Sequence, residues 1–344
     1  MNSRKLAQKQ RSELLAVDPV KLNKGELLEY IVGFGSLAPS THNTQPWKAK
    51  IKNDSIEVKA NLDAQIKVAD PTNRDLYISV GAFIKNILLA CEALGIKTDL
   101  KIDLSGQKVA VINLKLTDKV QTKKLELLTA MANRQNFRGF FEKSLDKNTV
   151  NNVFKEVKKA NPDVVSRVFD DKETIEKLAR LTADGLKSAY AKEPFRREIA
   201  GYINSNISRK RTGLFGYSLR MDLLMSIIIP KILKKKDIGT KLAQLNYASF
   251  IVSPAVVTLS TKDDKESWVK TGLVLEEILI KLTEKGIFSS IYVAAIEIDN
   301  LRDSVKEITE DKGNTKPQLL FCIGQTNDPL PYTVRKDLED ILAS

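Results

Sequence analysis

Cysteine and histidine, which build most metal and redox sites, are scarce in this chain of 344 residues, with two cysteines and one histidine. Cys91 lies in an apolar run with helical spacing, and Cys322 lies in an apolar run typical of a strand. No Cys/His spacing matches a zinc site, so we expect no metal. Two buried free thiols are the simplest interpretation, and they fit a reducing compartment.

The chain also has no apolar run longer than the core helices and strands of a soluble protein require. The basic N-terminal stretch, 1–15, lacks the apolar centre of a signal peptide. The nearest candidate for a membrane span, 221–236, is too short, and Pro230 interrupts it. We therefore expect a cytoplasmic protein with no membrane partner.

Positive charge is concentrated in one segment. The net charge is +12, and residues 187–241 carry thirteen Lys/Arg against four Asp/Glu. Nucleic-acid binding is one interpretation of such a segment. The segment has no aromatic RNA-binding platform, no zinc spacing and no recognisable helix-turn-helix, so we expect no nucleic-acid partner. A solvated basic face, or a cover over an anionic ligand, is favoured.

Hydrophobic periodicity predicts a mixture of helices and strands. Helical spacing predicts helices over 24–37, 76–95, 121–132, 147–158, 172–190, 194–210 and 266–286. Alternating or short apolar runs predict strands over 47–51, 55–60, 99–104, 109–116, 253–260, 289–298 and 317–324. The helix over 76–95 is apolar nearly all round, so we expect it to be central and buried.

Two of these helices form a weak internal repeat. Gly81 and Gly95 differ in number from Gly272 and Gly286 by the same 191 residues, and apolar residues match at that offset. A glycine inside a helix costs about 1 kcal/mol relative to alanine. Close approach of the two helices across a pseudo-twofold seam would offset that cost, whereas a chance match of two amphipathic helices is the alternative.

The stretch Gly33–Ala38, GFGSLA, matches the G-x-G-x-x-A dinucleotide fingerprint, but its context does not. The preceding residues have helical rather than strand periodicity, and Pro39 ends the segment where the fingerprint needs a helix to begin. We therefore reject a dinucleotide-binding turn here.

The stretch Ala38–Trp47, APSTHNTQPW, carries the most specific signal. It strongly resembles the A-P-S-x-x-N-x-Q-P-W signature of the nitroreductase-like FMN flavoproteins. Further pieces follow the order of that family: 69–95 resembles its central helix, 133–141 (NRQNFRGFF) its basic phosphate motif, and 317–342 its C-terminal strand and arginine-bearing tail. The order is most similar to the subgroup in which two nitroreductase halves are fused in one chain, which includes dormancy-associated bacterial proteins.

The resemblance implies an α+β nitroreductase-like fold, in which two degenerate halves form an intramolecular pseudo-dimer with central helices flanked by β-sheets. The halves would be 1–118 and 119–344. The second half lacks the loop and the first lacks a good arginine motif, with Arg11 in KQRSELL at best a remnant, so we expect one flavin site. The basic insertion 187–241 is either a lid over the lost site or a surface helical hairpin without a ligand role.

The resemblance also implies the residues that bind FMN. Arginines suit its phosphate, because their forked donors match phosphate oxygens, and an asparagine amide suits the pyrimidine edge of the ring. Asn136 stands where the family has Ser or Thr, and Lys336 is a weaker candidate. Gln45 is expected to be structural and Trp47 to pack in the core. The predicted cofactor-binding residues are Pro39, Ser40, Thr41, Asn43, Arg134, Asn136, Arg138 and Arg335.

No catalytic side chain is expected, because the flavin carries the chemistry. His42 is either a plain loop residue or a substrate contact and proton donor, since a histidine ordinarily titrates near neutrality. Backbone N–H groups within 287–296 are the expected donors near flavin N5.

The resemblance implies an oxidoreductase in which NAD(P)H passes a hydride to flavin N5 and a nitroaromatic or quinone-like acceptor then takes two electrons. The alternative is an FMN-binding or sequestering protein, closed by a lid, with little or no turnover. The partner would be a small-molecule acceptor. The protein itself would be a monomeric pseudo-dimer or a homodimer.

Overall fold

The computed structural model describes residues 1–116, 124–142 and 144–343. The first part of the chain contains helices α1 (Ser3–Ala16) and α2 (Lys24–Gly35), strands β1 (Trp47–Lys52) and β2 (Ser55–Ala60), helix α3 (Arg74–Ala93), and strands β3 (Lys97–Ile102) and β4 (Lys108–Lys115). Asn23 and Glu26 form a reciprocal capping box that starts α2. These bounds agree with the sequence predictions to within a few residues.

The rest of the chain contains the larger set of helices. In order they are α4 (Leu125–Asn133), α5 (Lys147–Ala160), β5 (Val165–Phe169), α6 (Lys172–Ala191), α7 (Glu193–Tyr202), β6 (Ile203–Asn204), β7 (Leu214–Phe215), α8 (Leu223–Lys235), α9 (Gly239–Ile251), β8 (Ala255–Thr261), α10 (Lys265–Thr283), β9 (Phe288–Ile291), α11 (Asp299–Ile308), β10 (Lys316–Gly324) and α12 (Leu338–Ile341).

Two sequence predictions need correction, and a third is confirmed over the residues that the structure describes. The helix expected over 194–210 ends at Tyr202, because Ile203 and Asn204 pair as β6 with β7. The strand expected over 289–298 ends at Ile291. The helix expected over 121–132 is observed as α4, and residues 121–123 of that prediction lie outside the described residues.

Two four-stranded antiparallel sheets share one strand order. The first sheet runs β1-β2-β4-β3 and the second runs β5-β8-β10-β9. Along the chain, α3 lies between β2 and β3 of the first sheet, and α10 lies between β8 and β9 of the second sheet. The α+β class, with central helices flanked by sheets, is therefore confirmed, and the two halves repeat the same topology.

The central helices α3 and α10 cross where their glycines meet. A Cβ on Gly81 would lie 2.1 Å from the carbonyl oxygen of Val269, and a Cβ on Gly272 would lie 2.0 Å from that of Ile78. Val269 and Ile78 differ by the same 191 positions as the two glycines, so the contact is reciprocal, as a twofold seam requires. Gly95 and Gly286 end the two helices with φ of 69° and 67°, the left-handed conformation of a helix C-terminus.

Helix α3 alone, among the residues described, is long and apolar enough to cross a membrane, but 83% of its apolar window is buried inside the protein. It packs between the first sheet and α10, with Trp47 stacked on Phe83 at 5.0 Å between ring centres. Trp47 is fully buried, which confirms its predicted place in the core. Apolar surface of this extent is what a central helix buries in a packed core.

Candidate functional site

All the predicted cofactor-binding residues line one pocket at the seam between the two halves, together with His42. Side chains of α3 and α10, including Ile78 and Leu275, form part of its wall. In the fold, the loop from Pro39 to Asn43 therefore lies at the same pocket as Arg134, Arg138 and Arg335. Their sequence separations reach nearly 300 residues, so only the tertiary fold makes them neighbours.

The loop over residues 39–45 has an unusual backbone. His42, Asn43 and Gln45 have φ of 52°, 54° and 51° without being glycine, a conformation that costs about 1–3 kcal/mol per residue when its surroundings must enforce it. Hydrogen bonds from several elements hold it. The Gln45 N–H donates to Ser40 Oγ (3.0 Å), and the Gln45 side-chain amide donates to the carbonyl of Arg211 (2.8 Å).

Gln45 is fully buried and also ties the loop to the C-terminal tail. The Lys336 N–H donates to Gln45 Oε1 (2.7 Å), and Lys336 Nζ donates to the Gln45 carbonyl (3.0 Å). Gln45 is thus structural, as predicted. Lys336 makes these hydrogen bonds to Gln45 and does not line the pocket.

Three buried guanidinium groups meet beside this loop. Arg11, Arg134 and Arg335 are 4%, 3% and 4% exposed. Arg134 Nη2 and Arg335 Nη2 both donate to the carbonyl of Leu37, at 2.8 and 3.0 Å. Arg335 Nη1 also donates to Asn43 Oδ1 (3.1 Å), which joins the cluster to the loop. Several like charges taken out of water together need an anion to balance them.

Glu276 on α10 is the carboxylate facing this cluster. It is fully buried, and its Oε1 lies 3.2 Å from Arg134 Nε without hydrogen-bond geometry. Burial raises the pKa of Glu276 to about 7, and attraction to Arg134 and Arg335 only partly opposes that shift. Burial and the charge of Arg134 lower the pKa of Arg11 to about 9, and burial lowers the pKa of Arg335. Because Glu276 is one carboxylate with a raised pKa, it balances at most one of the three guanidinium charges, so the cluster keeps an excess of positive charge.

Asn136 and Arg138 lie farther along the pocket wall. Asn136 forms an isolated parallel bridge with Ser289, and the adjacent Phe137 N–H donates to the Ser289 carbonyl (2.7 Å). The Arg138 side chain is exposed and its Nη1 donates to the carbonyl of Ser218 (3.3 Å). Of the predicted donor loop 287–296, Ile291 and Val293 line the pocket.

His42 is less suited to proton transfer at neutral pH than its residue type suggests. Burial, together with the nearby charge of Arg138, lowers the pKa of His42 to about 4. Its ring lies 5.4 Å from that of Tyr202, and Nε2 has no hydrogen-bond partner. The expectation that His42 titrates near neutrality is therefore corrected: the imidazole is neutral there.

A buried acidic group borders the loop from the start of α3. Thr41 Oγ1 donates to Asp75 Oδ2 (3.3 Å), and Arg74 donates to Asp75 Oδ1 through Nε and Nη2 (3.2 and 3.1 Å). Burial raises the pKa of the neighbouring Asp70 to about 7 and that of Glu297 to about 8. This end of the pocket contains acceptors, in contrast to the arginine end.

Sequence reasoning missed several residues of this pocket. Arg11 was set aside as a remnant, yet it joins the arginine cluster through hydrogen bonds to the carbonyls of Ala132 (2.9 Å) and Thr333 (3.2 Å). Asp75 and Ser79 also line the pocket, and Glu276 faces the arginines from α10. The feature that could have indicated Arg11 is its spacing from Ser3 and Ala7, which places the three on one face of α1. The structure shows that this face is buried.

Part of the basic insertion borders the pocket as well. Gly213, Leu214 and Ser218 line it, and the Gly213 N–H donates to the Asn43 carbonyl (3.4 Å).

Across the described residues, no group of three or more His, Cys, Asp or Glu side chains is placed to hold a metal ion.

These features define a class of protein: an α+β chain of two topologically equivalent halves, with a pocket at their seam that is cationic at one end and polar at the other. No family model matches the chain. A stretch of 70 residues is 33% identical to two provisionally named NAD(P)H nitroreductases of Mycobacterium tuberculosis, from strains CDC 1551 and H37Rv. The match spans 20% of this chain and 20% of each relative, and it supports the nitroreductase resemblance over that stretch.

Two solved structures align with this chain over most of their own length. A BluB-like flavoprotein from Clostridium difficile 630 aligns over 63% of this chain and 98% of its own, with 14% identity and a TM-score of 0.43. An FMN- and NADPH-dependent nitroreductase from Sphigopyxis sp. strain HMH aligns over 63% and 98%, with 14% identity and a TM-score of 0.41.

Proposed function

We propose that the protein is an FMN-dependent oxidoreductase of the nitroreductase type, with two fused halves, 1–118 and 119–344. The observation that carries the proposal is the arginine cluster: three buried guanidinium groups line a pocket next to the loop 39–43, and a single carboxylate, that of Glu276, faces one of them. An ordinary packed core does not retain such a charge excess. A phosphate dianion is the ligand group that balances it.

The donors of the pocket fit FMN. Arg134 Nε and Arg335 Nε are buried without hydrogen-bond partners, as is Asn136 Oδ1. In this proposal Arg11, Arg134 and Arg335 hold the phosphate, and Arg138 approaches it from the pocket wall as a further cation. Asn136 lies on the same wall. The residues that contact the ring system are Pro39, Ser40, Thr41 and Asn43. The chemistry supplied when FMN is bound is two-electron transfer, from NADH or NADPH to a nitroaromatic or quinone-like acceptor.

The chain itself orients and shields this site. The strained loop is fixed by Gln45 and Asn43, so its polar groups do not need to reorganise around a ligand. His42 is neutral at physiological pH, so it serves as a neutral contact to substrate rather than as a cationic acid. The partner is a small-molecule acceptor, not a nucleic acid, and the protein acts in the cytoplasm as a monomeric pseudo-dimer or a homodimer.

One observation favours the alternative, an FMN-sequestering protein with little turnover. The cavity measures about 210 Å³, below the roughly 300–1,000 Å³ of common ligand pockets. The insertion borders it through Gly213, Leu214 and Ser218. A cover that stays closed over the ring would prevent a second substrate from stacking there.

Flavin titration tests the site. We expect FMN to bind at least about tenfold more tightly than riboflavin, which lacks the phosphate, because charge-assisted hydrogen bonds to phosphate are lost. Arg11→Lys and Arg138→Ala should each weaken FMN and leave riboflavin unchanged, whereas Arg197→Ala, an exposed arginine on α7, should change neither. Equal affinities for FMN and riboflavin would contradict the phosphate site.

Turnover separates the two functions. Steady-state oxidation of NADH or NADPH by the FMN-loaded protein, with a quinone as acceptor, supports the oxidoreductase. A yellow protein that retains FMN but oxidises neither nucleotide supports sequestration.

A further inference from the structure

The first turns of helix α8 bury a polar residue and expose apolar residues, whereas Leu233 near its end is buried. Ser226 is 1% exposed, whereas Leu223, Leu224, Met225 and Ile227 are 46%, 64%, 42% and 39% exposed. The hydroxyl of Ser226 is bonded inside the protein, to the Asn206 N–H (3.1 Å) and the Leu223 carbonyl (2.7 Å). The orientation is therefore fixed by buried contacts, and the helix presents apolar side chains to solvent.

The apolar surface continues beyond the helix. Ile207 is 63% exposed and follows Asn206, whose side chain donates to the Met221 carbonyl (2.9 Å) just before α8. We call Ile207, Leu223, Leu224, Met225 and Ile227 the α8 patch. Isolated exposed apolar residues are common, but several together on one helix and its neighbouring loop mark an interaction site.

Lysines follow the patch along the same helix. Lys231, Lys234, Lys235 and Lys236 are all exposed, and Leu224, Ile227 and Lys231 lie on one stripe at i, i+3 and i+7. The acidic residues at its ends bond to backbone N–H groups: Asp222, the N-cap of α8, accepts from the Met225 N–H, and Asp237 accepts from the Gly239 N–H. Arg209 and Lys210, near Ile207, are exposed too.

The combination of exposed apolar side chains and lysines indicates which partner this surface binds. A second copy of the patch would bring its own lysines against these, and nucleic acid would leave the apolar side chains uncovered. An anionic bilayer satisfies both parts, because apolar side chains enter the acyl boundary while lysines contact the headgroups. With 13 residues, α8 is too short to span a membrane, so it would lie in the interface.

We propose that α8 docks the protein on the surface of bilayers containing anionic phospholipid, in place of the expectation from the sequence of no membrane partner. The helix packs directly on the turn Gly216–Leu219, since a Cβ on Gly216 would lie 2.3 Å from Ser226 Cβ. Ser218 of that turn lines the pocket. The docking surface and the pocket therefore share one structural segment.

Vesicle co-sedimentation tests the proposal. We expect the protein to bind vesicles of phosphatidylglycerol and phosphatidylcholine and to bind pure phosphatidylcholine at least about tenfold more weakly. Leu224→Glu with Ile227→Glu should reduce binding to the anionic vesicles at least about tenfold. Leu245→Glu, an equally exposed leucine on α9 (57%), should retain it.

A matched lysine control separates α8 from general attraction to negative lipid. Lys231→Glu, Lys234→Glu and Lys235→Glu combined should reduce binding at least about tenfold. The same changes at Lys155, Lys158 and Lys159, exposed on α5 with identical spacing, should reduce it by less than about threefold. Circular dichroism and thermal unfolding check that each variant is folded.

Three results would overturn the proposal: no binding by the unmodified protein, equal losses from the two lysine triples, or full binding after the Leu224→Glu and Ile227→Glu changes. Light scattering identifies the competing occupant. A dimer in lipid-free solution that these two changes dissociate would assign the patch to a second copy of the chain.

Discussion

At the scale of single residues, the balance of charge around Glu276 decides what the pocket can bind. Arg134 lies 3.2 Å away, yet burial raises the pKa of Glu276 to about 7. The cost of removing the carboxylate from water therefore exceeds its attraction to the arginines, as is common for buried ion pairs. A ligand anion that arrives with its own hydrogen-bonding oxygens can satisfy the guanidinium groups better than this carboxylate does.

The first prediction concerns Glu276→Gln and pH. The folded pKa of Glu276, about 7, lies above the ordinary glutamate value of 4.5, so the folded protein holds this proton more tightly than the unfolded chain. The contribution of Glu276 to stability is then greatest below pH 4.5 and falls as pH rises toward 7. We expect Glu276→Gln to match the unmodified protein near pH 4.5 and to be more stable at about pH 8, by up to about 3 kcal/mol. Urea unfolding of the ligand-free protein at both pH values measures this.

Asp70 and Glu297 also have raised pKa values, about 7 and about 8, so the unmodified protein and the variant should share their part of the pH dependence. Only the difference between the two proteins reports Glu276. If Glu276→Gln is the less stable protein under the alkaline condition, the ion pair with Arg134 outweighs the cost of burial, and the charge argument for the pocket weakens.

Residues within a continuous motif could be located from the sequence, whereas isolated residues could not. The stretch Ala38–Trp47 carried its own signature, and Arg134 and Arg138 lie in a second short motif. Arg11 has no motif, and its hydrogen-bond partners Ala132 and Thr333 are 121 and 322 positions away. His42 shows the other limit: its residue type predicts titration near neutrality, but the burial that lowers its pKa exists only in the fold.

At the scale of elements, the crossing of α3 and α10 depends on two glycines. The reciprocal contacts at Gly81 and Gly272 leave no room for a methyl group, because the obstructing atoms are backbone carbonyl oxygens at 2.1 and 2.0 Å. Backbone atoms cannot turn aside as a flexible side chain does, so the helices would have to separate.

We therefore predict that Gly81→Ala and Gly272→Ala each destabilise the protein by at least about 2 kcal/mol, through overpacking. Gly201→Ala is the matched control: Gly201 lies in α7, and no other atom lies within 4 Å of the point that an alanine methyl group would occupy. Alanine should therefore stabilise that helix by about 0.5–1 kcal/mol. Chemical denaturation measures all three. A neutral effect at both seam glycines would mean that the two central helices do not approach so closely.

Elements with strong periodicity were predictable, and the insertion was not. The central helices were located to within three residues, since their apolar pattern matches their burial. In the first turns of α8 the pattern misleads, because the exposed residues there are apolar and the buried Ser226 is polar. The end of α7 at Tyr202 depends on the pairing of β6 with β7, ten residues further along the chain, which no local pattern encodes.

At the scale of the whole molecule, the two halves share one hydrophobic core. A single cluster of buried side chains joins α2, α3 and the first sheet to α10 and the second sheet. Strand β10 extends this connection, since Leu319, Phe321 and Ile323 face that cluster while Leu320 and Cys322 face a second one beneath α6 and α9. The second sheet is thus buried on both faces. The second cluster lies wholly within the second half, whereas the large core of the first half is the cluster that it shares with α10 and the second sheet.

This arrangement predicts that the first half cannot fold independently. Residues 1–118 expressed alone would expose the side of α3 that α10 covers, and we expect no cooperative unfolding transition from them. The full chain should unfold in one transition, with a calorimetric enthalpy equal to the van't Hoff enthalpy. Gly81→Ala should shift that transition to lower temperature without splitting it, because the seam belongs to the common core. Two resolved transitions, or a folded fragment 1–118, would instead show that the halves are separate domains that merely touch, and the pocket at their seam would then be free to open by moving one half against the other.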